Sequence, residues 1–322
     1  MNVINVNPFP RIAIAANPEL YIDFDGQVAR AISFFINAIE SNEKATGTVI
    51  GGYGLGKTHT LKYIESRLAK LGVRSFFVPN PKRRITDLYR SVVENLLYDL
   101  DGLEVEEPLL KKALELSKGT DDIATYAKLW LLGESVPFNI RVKLGLGSNI
   151  DDGKAIRYLV TILKSLTKKN KGVALLMDEV EALLTLPVST RAIYMELLRE
   201  LIDELPPRTV LIVALTPAFW DQMLDLNAAL ARRLSSFIIY LRNLRRDEMP
   251  LILDNYLKRV QRNISIYDIF NDDILDYIYE ISNGNPGEIL KLAAVLVDTL
   301  IMREGLSKVT LEKAKEILAY YT

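Results

Sequence analysis

The 322-residue sequence predicts an α/β fold, a three-layer sandwich of helices around a parallel sheet, followed by an all-α lid. Three observations predict it. Five short, mostly uninterrupted apolar runs, at 46–50, 74–78, 173–177, 210–215 and 237–241, have the look of parallel strands covered on both faces. Helical patterns connect them, at 85–100, 154–166, 191–205 and 226–234. Beyond Arg245 the strand signal ends, and 248–260, 273–282, 286–302 and 310–321 read as helices only. The expected boundaries are a first domain over 1–244, with a helical insertion around 100–150, and the lid over 245–322.

The first strand runs directly into Gly51-Gly52-Tyr53-Gly54-Leu55-Gly56-Lys57-Thr58, a complete G-x-x-x-x-G-K-[ST] phosphate-binding loop, and a helical pattern of Leu61, Tyr63, Ile64 and Leu68 follows. Glycines let successive main-chain N–H groups close around phosphates. Lys57 would reach the β and γ groups, and the Thr58 hydroxyl would face Mg²⁺. The helix start adds the positive end of its dipole. A glycine-rich turn can join strand to helix for conformational reasons alone, but such a turn has no need of Lys-Thr after its last glycine. The nucleotide-binding set is therefore Gly51 to Thr58 together with His59 in the first helical turn. His59 is the only histidine, read as a bystander and not as an acid or base.

Composition narrows the chemistry. With no cysteine, disulfides, structural zinc and thiol chemistry are excluded, in keeping with a reducing cytoplasm. A single histidine leaves no His-based triad. The longest uncharged apolar stretch, 210–220, is too short to cross a bilayer, and 12–16 is too brief for a signal core. A net charge of −1 and a pI of about 6.1 argue against a broadly basic nucleic-acid surface. Residues 245–322 hold ten basic and thirteen acidic side chains, a net of −3, so the lid is not held to DNA by general electrostatics. The basic clusters Lys82-Arg83-Arg84 and Lys168-Lys169 read first as solvated faces.

About ninety residues separate the second and third strands, more than one crossover helix requires. Helical stretches at 109–116 and 123–132 fall there. The glycine-bearing segment 144–153 is not a dinucleotide fingerprint, because Ile150 stands where the third glycine would fall. It reads as a loop, either a partner contact or a plain surface connection.

The third strand ends in Asp178-Glu179, the Walker B pattern. The first carboxylate would hold the Mg²⁺ shell and the second would polarise an attacking water. A strand ending in Asp-Glu can also simply cap the next helix. The fourth strand ends in Thr216-Pro217, where ligands of parallel α/β sheets gather; Thr216 either orders the same water or forms a turn. Asn80, at the end of the second strand, either contacts Glu179 or belongs to an ordinary Asn-Pro turn. Arg232 and Arg233 precede the fifth strand, either as a solvated pair at a helix C-terminus or, Arg233 first, as a guanidinium offered to a neighbouring subunit's nucleotide. The catalytic set is Glu179, Lys57, Thr216 and Arg233, and the metal set Thr58 and Asp178.

This order of motifs, over roughly residues 20 to 320, resembles the AAA+ ATPases, in particular the branch of origin-recognition initiators and transposition-regulator ATPases. The resemblance implies a sheet in the order 5-1-4-3-2, ATP between sheet and lid, and assembly into oligomers. A closer likeness is to the ATP-binding family named after the BREX phage-defence systems. It rests on Trp130-Leu-Leu-Gly-Glu134, Leu144-Gly-Leu-Gly-Ser-Asn-Ile-Asp151, Leu176-Met-Asp-Glu-Val-Glu-Ala-Leu183, residues 191–203, Thr216-Pro-Ala-Phe219 and Ala229-Leu-Ala-Arg-Arg-Leu234. One position departs from the AAA+ pattern. In Asn283-Gly-Asn-Pro-Gly-Glu288, which looks like the sensor-2 element, Gly287 stands where relatives often carry an arginine, and Lys291 lies one turn on.

The expected function is Mg²⁺-dependent ATP binding and hydrolysis by an assembling ATPase that remodels or regulates a macromolecular partner, with DNA and phage defence as candidates. The alternative is an ATP/ADP-dependent switch or scaffold with little hydrolysis. GTP is disfavoured because no base-reading Asp follows Asn170-Lys171, and a small-molecule kinase because no second substrate pocket is evident.

Overall fold

A computed structural model describes residues 6–10, 17–97, 103–260, 262–302 and 309–321. The segment 12–16 and the expected helical end at 98–100 lie outside the described residues. Two compact units emerge. One gathers residues 28–50 and 64–239; the other gathers 1–27, 51–63 and 240–322.

The larger unit holds the sheet. Its strands are β1 (Ala45–Ile50), β2 (Val73–Val78), β3 (Gly172–Met177), β4 (Thr209–Leu215) and the short β5 (Ile238–Tyr240), in the order β2-β3-β4-β1-β5. This is the expected order read from the opposite edge. Pairing is parallel between β2 and β3, β3 and β4, and β4 and β1, with Ile50 opposite Leu215 and Met177 opposite Val213. Every residue of β1, β3 and β4 is buried. That explains the continuous apolar runs, since a central parallel strand has no solvent face.

The helices of this unit are α1 (Gln27–Glu40), the later half of α2 (Lys57–Lys70), α3 (Ile85–Leu96), α7 (Asp152–Lys169), α8 (Val188–Glu204), α9 (Pro217–Leu226) and α10 (Ala228–Leu234). Between α3 and α7 come α4 (Pro108–Leu116), α5 (Asp122–Leu131) and α6 (Phe138–Leu144). These extra helices share the core: Leu110, Ala113, Trp130 and Leu131 are buried in one cluster with Tyr89 and Val92 of α3 and Tyr158 and Leu159 of α7. The Trp130 indole N–H donates to the Ser148 carbonyl at 3.3 Å and the ring lies 5.9 Å from that of Tyr158.

The glycine-bearing segment is an anchored connector. Leu144, Leu146 and Ile150 are buried, Asn149 accepts the Val136 N–H at 3.2 Å, and Asp151 caps α7 through the Lys154 N–H at 2.9 Å. Of the region's helices the sequence did not announce α6, whose Phe138 and Val142 are exposed, so that no apolar face marks it.

The second unit contains α11 (Met249–Val260), α12 (Asp272–Ser282), α13 (Pro286–Met302) and α14 (Leu311–Leu318). Leu253, Leu257, Ile274, Ile278, Ile289, Leu296 and Leu318 form its core, which also takes in Phe9. Gln27 closes the end of β5, accepting the Tyr240 N–H at 3.2 Å and donating to its carbonyl at 3.3 Å.

Candidate phosphate loop and acidic strand tip

In the sheet unit, β1, β4 and β3 end along one edge, as their register requires. The residues after β3 and β4 are Asp178, Glu179 and Thr216. Asp178 is 3% exposed; its N–H donates to the Val78 carbonyl at 2.8 Å and its Oδ1 accepts the Glu179 N–H at 2.9 Å. This bond orients the carboxylate at the strand tip. Glu179 is held in the left-handed region, φ 50° and ψ 39°. A non-glycine residue there costs about 1–2 kcal/mol, and such strain gathers at functional positions. Its carboxylate is exposed and makes no hydrogen bond or ion pair among the described residues. Capping of the next helix therefore does not occupy it.

Thr216 is buried at the N-cap of α9, with Pro217 in the first turn. Its carbonyl accepts the N–H groups of Phe219 and Trp220 at 3.1 and 3.0 Å, while its side chain takes no part in the cap. Asn80 forms a turn: its Oδ1 accepts the Lys82 N–H at 2.8 Å. Lys82, Arg83 and Arg84 are exposed, Arg84 lying 3.5 Å from Asp152. Lys168 is 3.9 Å from Glu106. These are solvated faces with surface ion pairs, which contribute little to stability.

Two threonine hydroxyls of β1 hold the end of α10, Thr46 donating to the Arg233 carbonyl and Thr48 to that of Leu234 at 2.7 Å. The two arginines are consequently fixed but differ in surroundings. Arg233 grips Asp203 of α8 in a fork, Nη2 to Oδ2 at 2.8 Å. The guanidinium in turn holds the Asp203 carboxyl below its ordinary value. Arg232 is exposed, and its guanidinium has no partner among the described residues.

The glycine-rich loop Gly51–Thr58 falls in the other unit. Gly54 and Gly56 adopt φ of +77° and +90°, the conformations that let consecutive N–H groups converge. The start of α2 is fastened by Thr60, whose N–H and hydroxyl both donate to the Gly56 carbonyl, at 2.8 and 3.0 Å. Lys57 is 8% exposed; its ammonium donates to the Gly51 carbonyl at 3.1 Å and lies 5.1 Å from the centre of the Tyr53 ring. Tyr53 itself is 78% exposed and Thr58 is exposed at the helix start.

His59 turns away from the loop. Its Nε2–H donates to the Asn17 carbonyl at 2.6 Å, and its ring meets Tyr21 edge-on at 5.2 Å. Burial holds it below the usual histidine value, so the ring is neutral at pH 7 with its proton on Nε2. Tyr21 stacks on Tyr63 at 4.7 Å, and burial raises its phenol to about 12.

The sensor-2-like segment touches the loop directly, an arrangement the sequence did not reveal. Asn285 Nδ2 donates to the Tyr53 carbonyl at 2.9 Å, and the Gly287 N–H to the Gly54 carbonyl at 3.1 Å. A Cβ on Gly287 would lie 3.1 Å from that carbonyl oxygen and 3.2 Å from Gly54 Cα. Glycine at 287 thus allows main chain to pack on main chain. Lys291 pairs with Glu288 at 3.3 Å. One signal was present in the sequence: Asn-Pro at 285–286 is a helix N-cap followed by proline in the first turn.

Asp178 in the sheet unit and Thr58 in the other unit each carry an oxygen donor, a carboxylate and a hydroxyl. Among the described residues no three His, Asp or Glu side chains gather into a cage. Carboxylate and hydroxyl oxygens are the donor type that Mg²⁺ takes, an ion that keeps several waters and is held largely by substrate phosphates. No described helix is long and apolar enough to cross a membrane.

Residues 108–263 match the model of a family described as BREX system ATP-binding protein BrxC/D. No curated protein matches the chain. Among solved structures, the ORC1 protein of Aeropyrum pernix, in complex with DNA, is similar with a TM-score of 0.58 at 14% identity, over 97% of this chain and 68% of its own. The ADP form of ORC2 from the same organism gives 0.57 at 14% identity, over 96% and 71%. Cdc6p of Pyrobaculum aerophilum gives 0.54 at 13% identity, over 94% and 70%. At such identities the likeness is one of fold alone.

Proposed function

We propose, for a chain with the AAA+ fold and with the BrxC/D family match over residues 108–263, that it binds Mg²⁺-ATP and hydrolyses it as a cytoplasmic, oligomerising ATPase acting on a macromolecular partner. The observation that carries this reading is the complete loop Gly51–Thr58, with φ positive at Gly54 and Gly56 and Lys57 drawn over its carbonyls.

Each residue then has a distinct task. The N–H groups of the loop bind phosphate oxygens, and Lys57 neutralises the β and γ groups. Thr58 and Asp178 are the residues that would hold Mg²⁺, which when bound offsets phosphate charge. Glu179 takes up the proton of the attacking water, and Thr216 orients that water from the neighbouring strand. Arg233 is proposed to act across a subunit interface, leaving Asp203 for the neighbour's γ-phosphate, with Arg232 as its exposed companion. His59 supports the start of α2 from outside the chemistry.

The partner is proposed to be DNA, with which the ORC1 protein of similar fold is in complex, and the BrxC/D match suggests a place in phage defence. Contact would be local, since the net charge is −1. Two measurements test the reading. Calorimetry with Mg²⁺-ATP should show uptake by the unaltered chain, and Glu179→Gln should keep that uptake while losing turnover. No uptake by folded protein, or normal turnover in Glu179→Gln, overturns it. The mass of the ATP-bound particle with and without duplex DNA reads assembly and partner together.

Gly287 favours a second reading, an ATP/ADP-dependent switch with little hydrolysis, because no charged side chain stands at that position of α13. Steady-state phosphate release separates the two, rapid release removing the switch.

A further inference from the structure

The phosphate loop and the first turn of α13 are joined by one amide side chain and one main-chain N–H. Asn285 uses both ends of its amide. Its Oδ1 accepts the N–H groups of Gly287 and Glu288, at 3.0 and 3.3 Å, and so caps α13; its Nδ2 donates to the Tyr53 carbonyl at 2.9 Å. The Gly287 N–H, shared with that cap, also reaches the Gly54 carbonyl at 3.1 Å. In a trans peptide group the C=O and the N–H point in opposite directions, and no described peptide bond is cis. Drawing the carbonyls of Tyr53 and Gly54 toward α13 therefore turns the N–H groups of Gly54 and Leu55 to the other side of the loop. Leu55 N–H has only a long 3.4 Å contact with the Gly52 carbonyl in that direction.

From this we infer that Asn285 is a positioning residue for the nucleotide site: its amide nitrogen, with the N–H of Gly287, fixes two peptide planes of the loop so that the Gly54 and Leu55 amides face the bound phosphates. The inference rests on the nucleotide-binding reading above. It assigns α13 an effect on affinity exerted through main-chain orientation, with no charged group touching the nucleotide. It also accounts for Gly287, since a side chain there would press on Gly54 and lengthen the bond.

Asn285→Asp and Asn285→Ser separate positioning from helix capping. Both replacements are good N-caps, and neither can donate to Tyr53: aspartate has no amide hydrogen and serine is too short. Titrating the full chain with Mg²⁺-ADP in a calorimeter, each variant should show a dissociation constant raised about tenfold, the scale of one lost hydrogen bond. The ligand-free thermal midpoint should stay within about 2 °C, and amide exchange at Gly54 and Leu55 should quicken. Binding by both variants within twofold of the unaltered chain overturns the inference and leaves the nucleotide site standing. Weakened binding in Asn285→Asp alone also overturns it, because that pattern is charge repulsion. Absence of Mg²⁺-ADP and Mg²⁺-ATP binding by the unaltered chain removes both readings.

Discussion

Arg242 grips Glu248 with both terminal nitrogens, each at 2.8 Å, and turns its other edge to Asp25, with Nε to Oδ2 at 2.9 Å. Glu248 is only 3% exposed and also accepts the Arg245 N–H at 2.7 Å. One guanidinium thus ties the segment before α1 to the entrance of α11.

The hydrogen bonds from Arg242, aided by that of Arg245, pull the Glu248 carboxyl down from 4.5 to about 2. A carboxyl depressed in the folded state contributes stability above its unfolded value, and that stability is lost as pH falls toward the folded value. The unaltered chain should therefore lose stability between about pH 4.5 and pH 2. Arg242→Ala should unfold more easily at pH 7 by on the order of 2 kcal/mol, the scale of hydrogen bonds to charged groups, and should show a shallower acid dependence. Urea unfolding across pH checks both; equal slopes in the two proteins would remove the assignment to Glu248.

At Glu179 the backbone and the carboxylate can be tested apart. Glu179→Gln should bind nucleotide with turnover lowered about a hundredfold or more, the scale of a lost general base. Glu179→Ala and Glu179→Gly both lack the carboxylate, yet only glycine suits φ 50°. Glu179→Gly should accordingly be more stable than Glu179→Ala by about 1 kcal/mol, measured by urea unfolding. Equal stability would mean that the local conformation relaxes.

Gly54 and Gly287 face one another but should tolerate substitution unequally. A Cβ on Gly54 would sit 2.5 Å from Asn285 Oδ1 on a residue at φ +77°, so Gly54→Ala should cost about 1–3 kcal/mol and weaken nucleotide binding. Gly287→Ala makes a smaller overlap, 3.1 Å to the Gly54 carbonyl oxygen on a residue without positive φ, and gains up to about 1 kcal/mol of helix propensity. Its thermal midpoint should stay close to that of the unaltered chain while its nucleotide affinity falls.

Much of this architecture was legible because buried parallel strands write themselves as apolar runs. β1, β3 and β4 were found for that reason, and the loop glycines and Lys57 for their spacing. The end of β4 was harder, since 210–220 is one apolar stretch that Thr216-Pro217 divides into a strand and α9. Helix α1, whose Val28, Ala31, Phe35 and Ile39 make an apolar face, precedes β1 and joins no two strands, so the alternation of strand and helix does not mark it. Contacts between distant residues leave no local trace. Asn285 meets Tyr53 across 232 positions and Arg233 meets Asp203 across 30, and no spacing rule relates such pairs.

The two adjacent arginines of α10 should part company on mutation. Arg233→Ala removes the fork to Asp203 and should cost up to about 1 kcal/mol, the range of a surface ion pair, and should slow turnover only where subunits assemble. Arg232→Ala should change stability by less than about 0.5 kcal/mol and retain concentration-dependent turnover. Rates measured over a range of protein concentrations decide; the reverse pattern gives the trans role to Arg232.

Because α4 to α6 share buried side chains with α3 and α7, that region is no detachable accessory. Excising it would strip Tyr89 and Tyr158 of their cover and leave a sticky, poorly folded remnant, so attempts to transplant it between relatives must carry the matching faces of both flanking helices. Trp130, one of only two tryptophans in the chain, offers an intrinsic fluorescent reporter of whether such a chimera has closed correctly.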